Sequence, residues 1–152
     1  MFTYRIIHAL CILSTYQASV ESGSPQKYWE TQSPRALKVC KKVAFRSLEE
    51  GLNPLETISL SFIETRHNDK LRGAAGELGP LQALPKYWKR KGDKDSLEAG
   101  LRAWKYYSNK SSTIEEAAGR YNGSGRHGRH AKALREHYTK LDKLYRILRF
   151  PL

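Results

Sequence analysis

The chain has 152 residues, of which 39% are apolar and 28% are charged, and its net charge is +12. This length suits one domain with a hydrophobic core, and the apolar fraction excludes a wholly disordered chain. The charge is uneven: residues 86–152 carry a net +10 and residues 1–85 a net +2. The C-terminal half therefore either attracts a polyanion, with nucleic acid as one candidate, or serves only as a solvated surface that aids solubility.

The N-terminal 22 residues allow two interpretations. One arginine precedes a short apolar run at residues 6–13, and small residues follow, as in a secretory signal peptide. The run is too short to span a bilayer, and the alternative is an N-terminal helix that packs on the domain. A cleaved signal would remove Cys11, so we expect Cys40 to be a small buried hydrophobe without a partner. Two cysteines provide no framework for a metal site or a stapled fold.

Turn signals and apolar spacing predict the following elements. Residues 20–32 are polar and suggest a linker, and Ser33-Pro34 starts a helix over residues 34–50 that ends at Gly51. Asn53-Pro54 starts a second helix with apolar residues on most sides, which predicts a buried helix.

The rest of the chain continues the helical pattern. Residues 66–80 hold charges and glycines and suggest an irregular loop, and a short aromatic piece broken by Pro85 follows. We predict helices over residues 96–108, from Thr113 towards Tyr121, and over an amphipathic stretch at residues 134–148. No segment alternates long enough to require a strand, so the sequence predicts one mainly α domain.

Glu64 is the first candidate for chemistry, because it ends the buried helix beside apolar neighbours. Lost hydration and the negative end of the helix dipole both disfavour a carboxylate there. We therefore expect Glu64 to hold a proton near neutral pH and to deliver it to a leaving oxygen. The alternative is an exposed glutamate paired with Arg66 or Lys70.

Four motifs in order strengthen the interpretation of Glu64 as a proton donor. Glu64-Thr65 is followed by GELGPLQ at residues 76–82, by Pro85, by a helix with glycine and tryptophan at residues 100–104, and by Tyr121-Asn122. Over about residues 45–130 this order and spacing resemble the soluble lytic transglycosylase (SLT-type) family of the lysozyme-like superfamily, which includes goose-type lysozymes. The resemblance implies a lysozyme-like single domain over residues 23–152.

The resemblance also implies an activity, with no cofactor and no metal. Glu64 would protonate the β-1,4 oxygen between N-acetylmuramic acid and N-acetylglucosamine in peptidoglycan. As a carboxylate it would then accept the proton of the muramic acid C6 hydroxyl, which closes a 1,6-anhydro ring because the tethered nucleophile needs no activated water. Gln82 and Asn122 would bind near the acetamido groups or line the cleft, Tyr121 would orient Glu64, and Thr65 would face the cleft with its hydroxyl.

Glu77 departs from the family pattern, which has alanine there. A second carboxylate could activate water and turn the reaction into muramidase-type hydrolysis, or Glu77 could be a loop residue that only forms hydrogen bonds. His127 and His130 lack acidic companions, so we interpret them as basic surface rather than as metal ligands. We expect His67 to be exposed and Trp104 to lie in the core, and Tyr87 and Trp88 are candidates for stacking on sugars.

Three functions remain open on sequence grounds. The first is a wall-cleaving enzyme in the periplasm or cell envelope, or in a phage virion, with peptidoglycan glycan strands as its partner and a virion or a secretion or conjugation complex as its context. The second is a basic nucleic-acid-binding module, although we predict no stable nucleic-acid partner. The third is a wall-binding relative that does not cleave.

Overall fold

The computed structural model describes residues 1–150, which form helices joined by loops. Within that range there is no β-strand, only isolated bridges between Arg72 and Leu78 and between Leu78 and Ala83. The mainly α prediction is therefore confirmed for a single compact domain. The helices are α1 (Tyr4–Glu21), α2 (Pro25–Thr31), α3 (Ser33–Glu49), α4 (Pro54–Thr65), α5 (Pro85–Trp88), α6 (Ser96–Asn109), α7 (Ile114–Asn122) and α8 (Arg129–Leu148).

Most helix starts follow the signals in the sequence. Asn53 caps α4 by accepting a hydrogen bond from the Leu55 N–H, and Thr113 caps α7 by accepting one from the Glu116 N–H. The linker predicted for residues 20–32 is wrong, because α1 continues to Glu21 and α2 fills most of the remainder. Pro25 at the first position of α2 is the start signal that the polar composition concealed.

Helix α4 runs through the centre of the domain. It packs against α3, α8 and α1, and nine of its twelve residues are buried, in agreement with the apolar pattern. Trp104 of α6 is fully buried in the largest apolar cluster, which confirms its predicted core role. The rigid surroundings of α4 fix the direction in which its last turn, and so Glu64, points.

Helix α1 belongs to the packed domain in this structure. Its inner face is buried, and Cys11 forms a disulfide bond with Cys40 of α3. Cys40 is buried, as expected, but the expectation that it has no partner is wrong. That expectation followed from the interpretation of residues 1–22 as a cleaved segment, which would remove Cys11. A cross-link that encloses about 30 residues stabilises a fold by about 3–4 kcal/mol.

A buried polar cluster also ties α1 to the centre. Ser14 of α1 forms hydrogen bonds with the Nε2 atoms of His67 and His137, at 2.6 and 2.8 Å, and Ser61 of α4 bonds His67 Nδ1 at 2.8 Å. Both histidines are almost completely buried, so the expectation of an exposed His67 is wrong. Left-handed backbone at Arg66 and His67 turns the chain back after α4 and directs His67 into the core.

No helix among residues 1–150 is both long enough and apolar enough to cross a membrane.

Candidate functional site

A cleft of about 390 Å³ opens beside the last turn of α4. Helices α5, α6 and α7 and the loop between α4 and α5 form its other walls. Five of the six residues predicted for the site line this cleft: Glu64, Glu77, Gln82, Tyr121 and Asn122. These residues are far apart in the sequence, so the fold alone brings them together.

Glu64 lies at the junction between this cleft and α8. Its side chain is only 14% exposed, and Oε1 lies 2.9 Å from Nε2 of His130, whose side chain is 15% exposed. The two atoms are at ion-pair distance, but their relative orientation is not that of a hydrogen bond. The alternative pairing of Glu64 with Arg66 does not occur, because Arg66 binds Glu21 instead.

The glycine loop forms one wall of the cleft. Gln82 has a left-handed backbone, and its side-chain amide donates hydrogen bonds to the carbonyl oxygens of Leu71 and Gly79, both at 2.9 Å. The Glu77 carboxylate accepts a hydrogen bond from the Ala75 N–H at 3.1 Å. Both side chains therefore stiffen the loop while they line the cleft, which makes the wall rigid before any ligand arrives.

Gly73 allows that arrangement by its lack of a side chain. A Cβ atom at this position would lie 2.0 Å from a Glu77 carboxylate oxygen and 2.9 Å from the Gln82 side-chain oxygen. A methyl group therefore cannot share the space with both side chains in their present positions. Gly73 was not predicted from the sequence, because a glycine in a loop does not indicate which side chains pack against it.

Tyr121 of α7 holds the other wall. Its hydroxyl donates a hydrogen bond to the carbonyl oxygen of Leu81, next to Gln82. Its ring packs edge-on against Trp104 and Tyr107, with centroids 5.8 and 6.0 Å apart. Burial, followed by the nearby Glu64 carboxylate and Tyr107, raises the pKa of Tyr121 well above its usual value. Tyr121 therefore stays a neutral donor and is no candidate for a general base.

Thr65 is the exception among the predicted site residues. It is buried, and its hydroxyl bonds the carbonyl oxygens of Ser61 and Pro80 rather than facing the cleft. Successive residues on a helix point about 100° apart, so Thr65 faces the loop when Glu64 faces the cleft. The expectation that the Thr65 hydroxyl faces the cleft is therefore wrong, and its hydrogen bond instead holds Pro80 against α4.

His130 is the residue that sequence reasoning missed. We expected His127 and His130 to extend the basic surface together, yet only His127 is exposed. His130 lies in the first turn of α8 and turns inward to Glu64. The signal was weak, because His127 lies in the turn before α8 and His130 lies inside the helix, and the sequence alone does not fix that boundary. Among residues 1–150 no group of three or more histidine, cysteine, aspartate and glutamate side chains could hold a metal ion.

The outer rim of the cleft is aromatic. Tyr87 is 67% exposed, and Trp88 is half-buried against Tyr106 and Tyr107. Within the described part of the chain, four cations in and after α5 form no ion pair, and none of them lines the cleft: Lys86, Lys89, Arg90 and Lys91. The flat rings suit a ligand with apolar faces on which they can stack.

Comparison with known proteins gives no relative: no family model, no curated protein and no solved structure matches the chain.

Proposed function

We propose that the protein is a peptidoglycan lytic transglycosylase of lysozyme-like fold, with Glu64 as its acid and base. The observation that carries this proposal is the convergence of Glu64, Gln82, Tyr121 and Asn122 on one cleft. The order and spacing of the sequence motifs agree with it. The aromatic rings of Tyr87 and Trp88, which line the cleft, suit the apolar faces of a glycan strand.

In the proposed reaction the glycan lies along the cleft with the scissile oxygen at Glu64. Protonated Glu64 gives its proton to the bridging oxygen, and the bond between that oxygen and the muramic acid C1 breaks. The Glu64 carboxylate then takes the proton of the C6 hydroxyl as the C6 oxygen bonds to C1. The proton count is unchanged over the cycle, and one carboxyl suffices because the nucleophile belongs to the substrate.

The other cleft residues have supporting roles in this proposal. Asn122 and Gln82 contact the sugar's acetamido groups, with Gln82 limited by the two hydrogen bonds that already hold its amide nitrogen. Tyr121 fixes the wall opposite Glu64 through its bond to Leu81. The context we propose is local wall opening in the cell envelope, by a phage or by a secretion or conjugation system.

Glu77 supports a second candidate, a muramidase, because it places another carboxylate on the same cleft. In that reaction Glu77 would activate a water for attack on C1, and the product would carry a reducing end. Its hydrogen bond to the Ala75 N–H favours the loop role instead, since that bond holds the carboxylate to its own loop.

Mass spectrometry of purified sacculi after digestion tests the proposal. We expect muropeptides with anhydro ends, each lighter by one water than the hydrolysis product. Muropeptides with reducing ends would instead support the muramidase. An absence of wall products, together with a strongly salt-dependent shift of DNA in a gel, would instead favour the nucleic-acid-binding module.

A further inference from the structure

Helix α1 presents a row of apolar side chains to solvent, which we call the α1 stripe. Its members are separated by multiples of four residues, so they share one face, and each keeps 39–60% of its surface exposed: Tyr4, Ile12, Tyr16 and Val20. The stripe is about 24 Å long at 1.5 Å per residue. Between Arg5 and Glu21 the helix has no lysine, arginine, aspartate or glutamate, and Glu21 is paired with Arg66. The outer face of a surface helix is ordinarily polar, so this face has the composition of one that a partner covers.

The α1 stripe belongs to a helix that is fixed in the domain. The opposite face of α1 is buried, its disulfide bond joins it to α3, and Ser14 joins it to two buried histidines. The backbone of α1 therefore holds the exposed side chains in one row. No residue of α1 lines the cleft, so the stripe is separate from the candidate active site.

The two helices that border α1 on the domain surface are strongly basic. Both α3 and α8 pack against α1. Helix α3 carries five lysine and arginine residues against one glutamate, and α8 carries six against two carboxylates. One of these cations lies near each end of the stripe. Lys41 Nζ is 5.7 Å from the centre of the Tyr4 ring, and Lys140 Nζ is 3.3 Å from Gln17 Oε1.

We propose that the α1 stripe is a docking surface for a bilayer that contains anionic lipids. Helix α1 lies in the plane of the interface, with its apolar side chains at the boundary between headgroups and acyl chains. The tyrosine hydroxyls remain at the level of the headgroups, where amphipathic rings are stable. The cations of α3 and α8 attract the negative surface of the bilayer.

A second copy of the chain is the main alternative occupant, and charge disfavours it. A symmetric contact between two stripes would bring the basic helices of both copies close together. The net charge of +12 on each chain adds to that repulsion. A bilayer with anionic lipids has the opposite sign, so it is the occupant that both the apolar row and its basic borders fit.

The test is co-sedimentation of the full chain with vesicles of phosphatidylglycerol and phosphatidylcholine in equal parts, and with vesicles of phosphatidylcholine alone. We expect binding to the anionic vesicles and binding weaker by about tenfold or more to the others. Tyr16→Gln/Val20→Gln should weaken binding to the anionic vesicles by about tenfold or more, because it removes apolar area from the interface. The matched control Tyr87→Gln/Tyr106→Gln removes two exposed rings from α5 and α6 and should follow the wild type.

The basic borders have a separate test. Lys41→Gln/Lys140→Gln should weaken binding to the anionic vesicles and make it less sensitive to salt, because fewer charges attract the surface. The control Lys86→Gln/Lys89→Gln lowers the net charge equally at α5 and should lose clearly less binding. Equal losses in the two variants would reflect net charge alone and would overturn the assignment of this face.

Insertion is measured with Tyr16→Trp on anionic vesicles that carry brominated acyl chains, since bromine quenches a tryptophan that reaches them. We expect more quenching than in the wild type, and no such increase in Tyr106→Trp. This readout also decides the question if Tyr16→Gln/Val20→Gln fails to fold. Unquenched Tyr16→Trp, or equal binding of the wild type to both kinds of vesicle, would overturn the proposal. A wild-type dimer in solution that Tyr16→Gln/Val20→Gln disrupts, without vesicle binding, would assign the stripe to a second copy instead.

Discussion

At the scale of single residues, the glycine at position 73 controls how the loop wall presents its polar groups. Glu77 and Gln82 meet over the space that a side chain at position 73 would occupy. The atoms that would clash are the far ends of two flexible side chains, so they can move at low cost in stability. Their positions relative to Glu64 would change nonetheless.

We predict that Gly73→Ala lowers wall cleavage at least severalfold while the melting temperature changes by no more than about 2 °C. The backbone needs no rearrangement, so the loss reflects displaced cleft side chains. The double variant Gly73→Ala/Glu77→Ala is the matched comparison, because it removes the nearest clash. Adding Gly73→Ala to Glu77→Ala should cost less activity than adding it to the wild type. Equal costs in both backgrounds would rule out this explanation.

The site residues also show how much of the candidate site could be predicted from the sequence. Motif order placed Glu64, Gln82, Tyr121 and Asn122 in one site, and all four line one cleft. Thr65 was misassigned because adjacency in a motif says nothing about which face of a helix a side chain takes. His130 was missed because its contact with Glu64 joins two elements that are far apart in the sequence and depends on the α7–α8 loop.

At the scale of elements, α1 is held by the buried cluster of Ser14, His67 and His137. Burial, followed by the charges of His137 and Arg66, lowers the pKa of His67 from 6.5 to about 3. Burial, followed by Lys140 and Arg66, does the same for His137. Both rings are therefore neutral in the folded protein at neutral pH and become charged when the chain unfolds in mild acid.

The lowered pKa values make the free energy of unfolding depend on pH, and the fold becomes less stable as the pH falls. Above pH 6.5 these histidines are neutral in both states and contribute nothing to the pH dependence. As the pH falls from 6.5 towards 3, the two histidines bind protons in the unfolded chain but remain neutral in the folded protein. Stability is lost by up to about 1.4 kcal/mol per pH unit for each ring.

We predict that the free energy of unfolding in urea falls between pH 7 and pH 5, and that His137→Phe reduces this fall. Phenylalanine can keep the stacking on Phe62 and cannot bind a proton. The exposed His127 serves as the control, since His127→Gln should leave the fall unchanged. Equal stability at pH 7 and pH 5 in the wild type would contradict the assignment of two buried neutral histidines.

At the scale of the whole molecule, the sequence predicted the helices with strong caps and apolar spacing. Helices α3, α4 and α7 begin near the residues whose start signals were recognised, and α6 covers the range predicted from its apolar spacing. Local patterns could not predict that α1 packs on α3 and joins it through Cys11 and Cys40, because that depends on contacts between separate elements. The same limit applies to α2, whose polar composition resembles that of a linker.

The charge asymmetry is also a property of the whole molecule. The net +10 of residues 86–152 includes the cations in and after α5 and those along α8. A field of this sign guides a polyanion towards the surface and weakens with salt. It does not distinguish a cell wall from a nucleic acid, so the identity of the substrate depends on the chemistry of the cleft.

The most direct measurement is the release of soluble fragments from purified sacculi by the wild type and by Glu64→Gln, with Glu77→Gln as the matched carboxyl variant. We predict that the wild type releases fragments and that Glu64→Gln loses at least a thousandfold in rate while it keeps its melting temperature. Glu77→Gln should retain much of the activity. Sacculi solubilised by Glu64→Gln at the wild-type rate would contradict the assignment of Glu64 as the proton donor.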